Sequence, residues 1–182
     1  MQLRLPFFLL LICAPISGCG LWRGEVDPGL GQITLEIQRT HERDHIIYRD
    51  AQGRLLDDGL LQASIMMRDI NSNNIVPTDP SLLDFLVRVR GKLRLEPRTP
   101  FIITSAYRDP TTNKRLRQLT GGKAAENSYH LKGMAVDIKI NGVDGEDIAD
   151  AAKSLKLGGV AYYPSSDHVH IDSGPPRTWR AY

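Results

Sequence analysis

Cysteine is scarce: the 182 residues hold two, Cys13 and Cys19, both within the first nineteen positions. The rest of the chain has no thiol for an internal disulfide, and it cannot assemble a structural zinc site from cysteines. An excess of one charge is also lacking, with 23 lysines and arginines against 21 aspartates and glutamates. That balance argues against a nucleic-acid binder, which would carry a basic stripe or patch. After the N-terminal segment no apolar run approaches the roughly 20 residues of a membrane span. No internal repeat or low-complexity tract is visible.

What is present begins with MQLRLPFFLLLICAPISGC, where Arg4 precedes an apolar run from Leu5 through Ile12. The run is too short to span a membrane and reads as an export signal. It ends in Ile16-Ser17-Gly18-Cys19, which resembles the bacterial lipobox, in which the cysteine is acylated and becomes the new N-terminus. Residues 1–18 are therefore expected to be a signal peptide and Cys19 the lipidation site. A plain secretory signal with a chance cysteine is the alternative. Gly20 follows the cysteine, and by resemblance to enteric lipoproteins the absence of Asp there points to the outer membrane. The expected location is the periplasmic face of the cell envelope, with membrane attachment through lipid. Residues 19–32 contain four glycines and Pro28 without apolar periodicity, the composition of a tether. Residues 33–182 are long enough for one domain with its own core.

Within that domain ITLEIQ alternates as a strand does, and HIIY runs into the turn residues Asp50-Ala51-Gln52-Gly53. GLLQASIMMRDI predicts a helix with Leu60, Leu61, Ile65, Met66 and Ile70 as its apolar stripe. A second helix is predicted in TDPSLLDFLVRVRGKL, with Asp79 as N-cap, Pro80 at the first helical position and Leu82, Leu83, Leu86, Val87 and Val89 inward. FIITSAY reads as a buried strand, and Asp109-Pro110 repeats the helix-start chemistry before TTNKRLRQL. MAVDIKI puts Met134, Val136, Ile138 and Ile140 on one face and Ala135, Asp137 and Lys139 on the other. A helix from about Gly145 to Leu155, then GGVAYY and HVHID as the last strands, complete an α+β domain with a small antiparallel sheet.

Two features in this frame carry chemistry. Asp137 is a carboxylate in an otherwise apolar strand and needs a partner. In SDHVHID, strand alternation sets Val169 and Ile171 against a core and His168, His170 and Asp172 together on the other face. That face is either a ligand set or a solvated one. His130 lies seven positions before Asp137, across a turn marked by Lys132-Gly133. Together His130, Asp137 and His170 make a nitrogen, oxygen and nitrogen set, and three protein ligands plus a water is the open arrangement of catalytic zinc.

The segment Ser128-Tyr129-His130-Leu131-Lys132-Gly133-Met134-Ala135-Val136-Asp137 resembles the S-x-H-x-x-G-x-A-x-D motif of the zinc D-alanyl-D-alanine peptidase family, whose fold is shared with the hedgehog signalling domain. Ser105-Ala106-Tyr107-Arg108 resembles that family's S-x-Y/F-R motif, and Asp167 to His170 its closing D-x-V-H segment. Within the family, HIDSGPPRTW is similar to the YcbK/MepK-like murein endopeptidases. The resemblance implies a hedgehog-like sheet with helices on one face and hydrolysis of peptidoglycan stem-peptide cross-links that involve diaminopimelate. It implies Zn2+ on His130, Asp137 and His170, with Asp167 as general base. A carboxylate near zinc-bound water can take its proton and pass it to the leaving amine. Arg108 would bind a substrate carboxylate or steady the oxyanion. Ser128 would orient substrate, or else serves only the turn. A non-catalytic zinc-containing peptidoglycan binder is the alternative function.

The chain departs from the family at His168, where relatives more often have an aromatic. A wall residue is favoured there over a rival ligand or an acid-base helper. Asp172 shares the histidines' face and is a candidate outer partner for one of them. His41 and His45 read as solvated, and Glu126 as a second, disfavoured base. Tyr107, Tyr129, Tyr162 and Tyr163 read first as packing residues, and Trp179 as closing the domain.

Overall fold

The structure is a computed structural model that describes residues 30–122 and 124–180. The expected export signal, Cys19 and the expected tether as far as residue 29 lie outside the described residues. The chain begins with strands β1 (Gln32–Ile37) and β2 (Arg43–Ile47), followed by helices α1 (Asp57–Met66) and α2 (Pro80–Lys92). Next come β3 (Phe101–Ser105), α3 (Pro110–Leu119), a short 3-10 helix (Tyr129–Lys132) and β4 (Ala135–Lys139). Helix α4 (Gly145–Leu155) precedes β5 (Gly159–Tyr163), β6 (His168–Asp172) and β7 (Arg177–Arg180).

The strands form one sheet in the order β2-β1-β3-β4-β6-β5-β7. The α+β class is as expected, but the sheet is larger and not wholly antiparallel. The pairs β1–β3 and β5–β7 run parallel. The β5–β7 pair arises because Trp179, expected to close the domain, does so within an edge strand.

Helices α1, α2 and α4 pack on one face of the sheet, α1 on β1 and β2, α2 on β1 and β6, α4 on β5 and β6. That face presents Ile33 and Leu35 of β1, Val136 and Ile138 of β4, and Val169 and Ile171 of β6, all buried. Burying each such side chain contributes about 1.5–3 kcal/mol, which locks the strand register because a one-residue slip would turn them to solvent. Both predicted helix starts form: Asp79 accepts from Ser81 N at 2.9 Å and Asp109 from Thr111 N at 2.7 Å, with Pro80 and Pro110 as first helical residues.

The predicted stripe of α1 is corrected at Leu61 and Ile65. The buried side consists of Gly59, Ala63, Ser64 and Met66, whereas Leu61 is 57% and Ile65 40% exposed. Gly59 lies so close to the backbone of Ile47 and Tyr48 that a Cβ there would collide. The helix therefore approaches β2 through its small residues, while Leu60, Met66 and Ile70 of the predicted stripe still pack against the core.

Candidate metal centre

The face away from α1, α2 and α4 carries the chemistry. In β4 and β6 the cross-strand partners include Asp137 with His170 and Ala135 with Asp172. Because Val136, Ile138, Val169 and Ile171 must face the core, Asp137, His170 and Asp172 are driven to the opposite side. His130 arrives from the 3-10 helix. Ser128 caps that helix by accepting from His130 N at 3.3 Å. Gly133 ends it at φ +67°, and a Cβ there would stand 2.5 Å from Pro77 O. Only glycine makes this turn against that neighbour, and the turn delivers His130 to the strand.

The three side chains converge. His130 Nε2 lies 3.1 Å from His170 Nδ1 and 3.3 Å from Asp137 Oδ1, and His170 Nδ1 lies 2.9 Å from Asp137 Oδ1. Ligand atoms about 2.0–2.1 Å from a tetrahedral zinc are about 3.3 Å from each other, so the triangle already has the size of one face of such a site. The outer partners decide the tautomers. His130 Nδ1 donates to the Ala106 carbonyl at 2.6 Å, leaving Nε2 with its lone pair. His170 Nε2 donates to Asp172 Oδ2 at 2.9 Å, leaving Nδ1 inward. Three acceptors thus point at one buried spot, which is stable only with positive charge in the middle. The group fits a divalent cation, and it is the cluster of possible ligands found among the described residues.

Burial pushes His130 below its ordinary pKa despite the pull of Asp137. Burial also opposes charge on His170, but its hydrogen bonds to Asp137 and Asp172 outweigh that and raise it. Burial would raise Asp137, yet the two imidazoles hold it well below the usual carboxylate range.

A second layer holds the first. Arg108 Nη2 donates to Asp137 Oδ2 at 2.8 Å and Nε to Ser105 Oγ at 3.0 Å, so Oδ1 is the oxygen turned to the imidazoles. Asp172 is wholly buried and accepts from both terminal nitrogens of Arg177, at 2.9 and 2.7 Å, and from Gly174 N at 2.9 Å. Arg177 lies between the rings of Tyr129 and Trp179, 5.0 Å from each centroid. The partnership of Asp172 with His170 matches the expectation from the shared strand face. Arg177 and the Ala106 carbonyl were not foreseen. Arg177 had a signal in its spacing to Asp172, but a backbone acceptor has none.

A family model of M15 peptidases, described as peptidoglycan L,D-endopeptidase MepK, matches residues 28–179. The chain belongs to this family. The peptidoglycan L,D-endopeptidase MepK of Escherichia coli strain K12 is 40% identical over 147 residues, covering 81% of this chain and 79% of the relative. The same protein of Shigella flexneri gives the same figures. A probable peptidoglycan L,D-endopeptidase MepK of Haemophilus influenzae is 37% identical over 121 residues, covering 66% of this chain and 64% of the relative. Membership makes this chain one of a family of metallopeptidases that are peptidoglycan endopeptidases, and the His130, Asp137 and His170 cluster is a possible metal site for that chemistry.

The other expected site residues fare differently. Asp167 is not brought to the triad. It sits in the β5–β6 turn at φ +47°, and its Oδ1 accepts from Tyr162 O–H at 3.0 Å and from Gly145 N, the first residue of α4, at 3.2 Å. Tyr162 packs on the core, so the left-handed turn sends the Asp167 carboxylate to the helix side of the sheet. Ser128 serves the turn by capping His130. Arg108, read as a substrate reader, bonds Asp137 through Nη2 and Ser105 through Nε.

His168 packs against an aromatic ring. Its ring stacks on Tyr163 at 4.4 Å between centroids, and its Nδ1 is 2.8 Å from Ser166 Oγ. Trp179 completes that side, 5.2 Å from the His170 ring. Glu126 pairs with Arg117 at 3.2 Å. His41 is solvated as expected, but His45 is half-buried, between Thr34 Oγ1 at 2.9 Å and Gln32 Oε1 at 3.2 Å. No described helix is long and apolar enough to cross a membrane.

Proposed function

We propose that this protein is a zinc-dependent endopeptidase that hydrolyses L,D-peptide bonds in peptidoglycan cross-links, acting at the periplasmic face of the envelope and held at the outer membrane by lipid on Cys19. The observation that carries the reading is the convergence of His130 Nε2, Asp137 Oδ1 and His170 Nδ1 with their outward N–H groups already committed. Two nitrogens and one oxygen suit zinc, and three protein ligands leave a position open. Zinc, when bound, lowers the pKa of its water to about 7 and polarises a carbonyl.

The protein's own groups do the rest. The Ala106 carbonyl and Asp172 hold each imidazole in one tautomer. Arg108 keeps Asp137 turned by one oxygen, and Arg177 keeps Asp172 charged and still. His168, Tyr163 and Trp179 flank the site on the open face, where a peptide can lie against flat rings. Its membership in a family whose relatives are named as L,D-endopeptidases supports the bond type.

The test is digestion of cross-linked muropeptides by the zinc-loaded mature protein, followed by mass analysis of the products. Intact cross-links beside a digested control would end the proposal. The displaced Asp167 favours a second reading, a zinc-containing peptidoglycan binder without turnover. The same digest separates the two, since a binder retains muropeptides and releases none cleaved. Replacement of Cys19 by serine tests the anchor: the protein should move from the membrane to the soluble periplasmic fraction.

A further inference from the structure

The register places a second polar row beside the metal row. Ile138 pairs with Val169, so the next position, Lys139, stands opposite His168. Lys139 also pairs with Ile102, and His168 pairs with Tyr163. The row Ile102, Lys139, His168, Tyr163 therefore crosses β3, β4, β6 and β5 on the open face, two residues, or about 7 Å, along the strands from Asp137 and His170.

The cations nearest the triad differ in what they are free to do. Arg108 gives Nη2 to Asp137 and Nε to Ser105, and Arg177 gives both terminal nitrogens to Asp172. Lys132 lies over the Tyr129 ring at 5.3 Å. The Lys139 ammonium has no hydrogen-bond or ion-pair partner among the described residues. A half-buried lysine on a face that must admit substrate, with no partner of its own, is available to an anion.

We infer that Lys139 reads a substrate carboxylate: the one on the carbon that bears the scissile nitrogen, on the leaving side of the cleaved bond. This rests on the proposed L,D-endopeptidase reading. In such a bond the amine comes from a D-centre, which carries its carboxylate on the same carbon, one atom beyond the nitrogen. With the scissile carbonyl at the triad, that carboxylate lies within a lysine's reach of the neighbouring row. Lys139 is a residue that the motifs do not mark.

The test uses zinc-loaded wild type, Lys139→Met and Lys139→Arg, with two probes. One is a cross-linked muropeptide dimer with the leaving-side carboxylate free or amidated, followed kinetically. The other is a disaccharide tripeptide ending in diaminopimelate, its D-centre carboxylate free or amidated, followed by calorimetric titration. A charge-assisted hydrogen bond of this kind corresponds to about tenfold or more in affinity. Lys139→Met should raise KM and Kd for the free carboxylate about tenfold, amidation should do the same to wild type, and the two losses should not add. Lys139→Arg should recover most of the loss, and zinc affinity should match wild type in both variants. Equal weakening of both carboxylate forms, or none, overturns the inference. If wild type cleaves no dimer, the endopeptidase reading fails, and the calorimetric arm still decides whether Lys139 binds the carboxylate.

Discussion

Asp137 and His170 face each other as direct cross-strand partners of β4 and β6, with Oδ1 2.9 Å from Nδ1. Half of the candidate metal site is thus a property of sheet register, held by the buried residues on either side of both. His130 completes it from a turn, so the site exists only when the 3-10 helix is docked.

Metal removal should therefore cost stability as well as activity. A cation held at about 1,000 times its Kd adds about 4 kcal/mol to folding. Chelation should lower Tm by several degrees and abolish muropeptide digestion, and one equivalent of zinc should restore both. Differential scanning calorimetry that shows one unchanged Tm across chelated and reloaded protein would argue against an occupied site.

Arg108→Lys should act through the metal. It loses the fork that spans Asp137 Oδ2 and Ser105 Oγ, and outer-shell losses of this type reduce metal affinity about 10–100-fold. Competition against a chromophoric chelator reads that directly. Unaltered zinc affinity with a raised KM would instead give Arg108 the substrate role that the motif suggests.

Asp172→Asn should loosen His170 in the same way, with about 10–100-fold weaker zinc binding. It should also change the acid limb of stability. Burial would raise the Asp172 pKa, but its bonds to His170 and Arg177 hold it below the ordinary carboxylate range. A depressed folded pKa stabilises above the unfolded value near 4 and loses that contribution as pH falls toward the folded one. The Tm drop between pH 5 and pH 3 should be smaller in Asp172→Asn than in wild type. An identical drop would remove Asp172 as a contributor.

Asp167→Asn should keep kcat within about threefold and lower Tm by a few degrees at most. The side chain bonds Tyr162 and Gly145 rather than the triad, and asparagine suits its positive φ. A loss of a hundredfold or more in kcat, with zinc retained, would restore the general-base role to Asp167.

Local chemistry made much of this protein legible without coordinates. Asp79-Pro80 and Asp109-Pro110 start helices because an acceptor followed by a ring without N–H satisfies a helix N-terminus wherever it stands. The alternation in MAVDIKI and HVHID assigned Asp137, His170 and Asp172 to one face because side chains in strands have a period of two. What period and motif do not contain is the approach of separate elements. The close contact of Gly59 with β2 chose the buried side of α1, and a left-handed residue in the β5–β6 turn sent Asp167 across the sheet. The bonds of Arg108 to Asp137 and Ser105 and the lack of a partner for Lys139 among the described residues likewise depend on which groups the pairing of β3, β4 and β6 brings within 3 Å, a distance that only the folded chain defines.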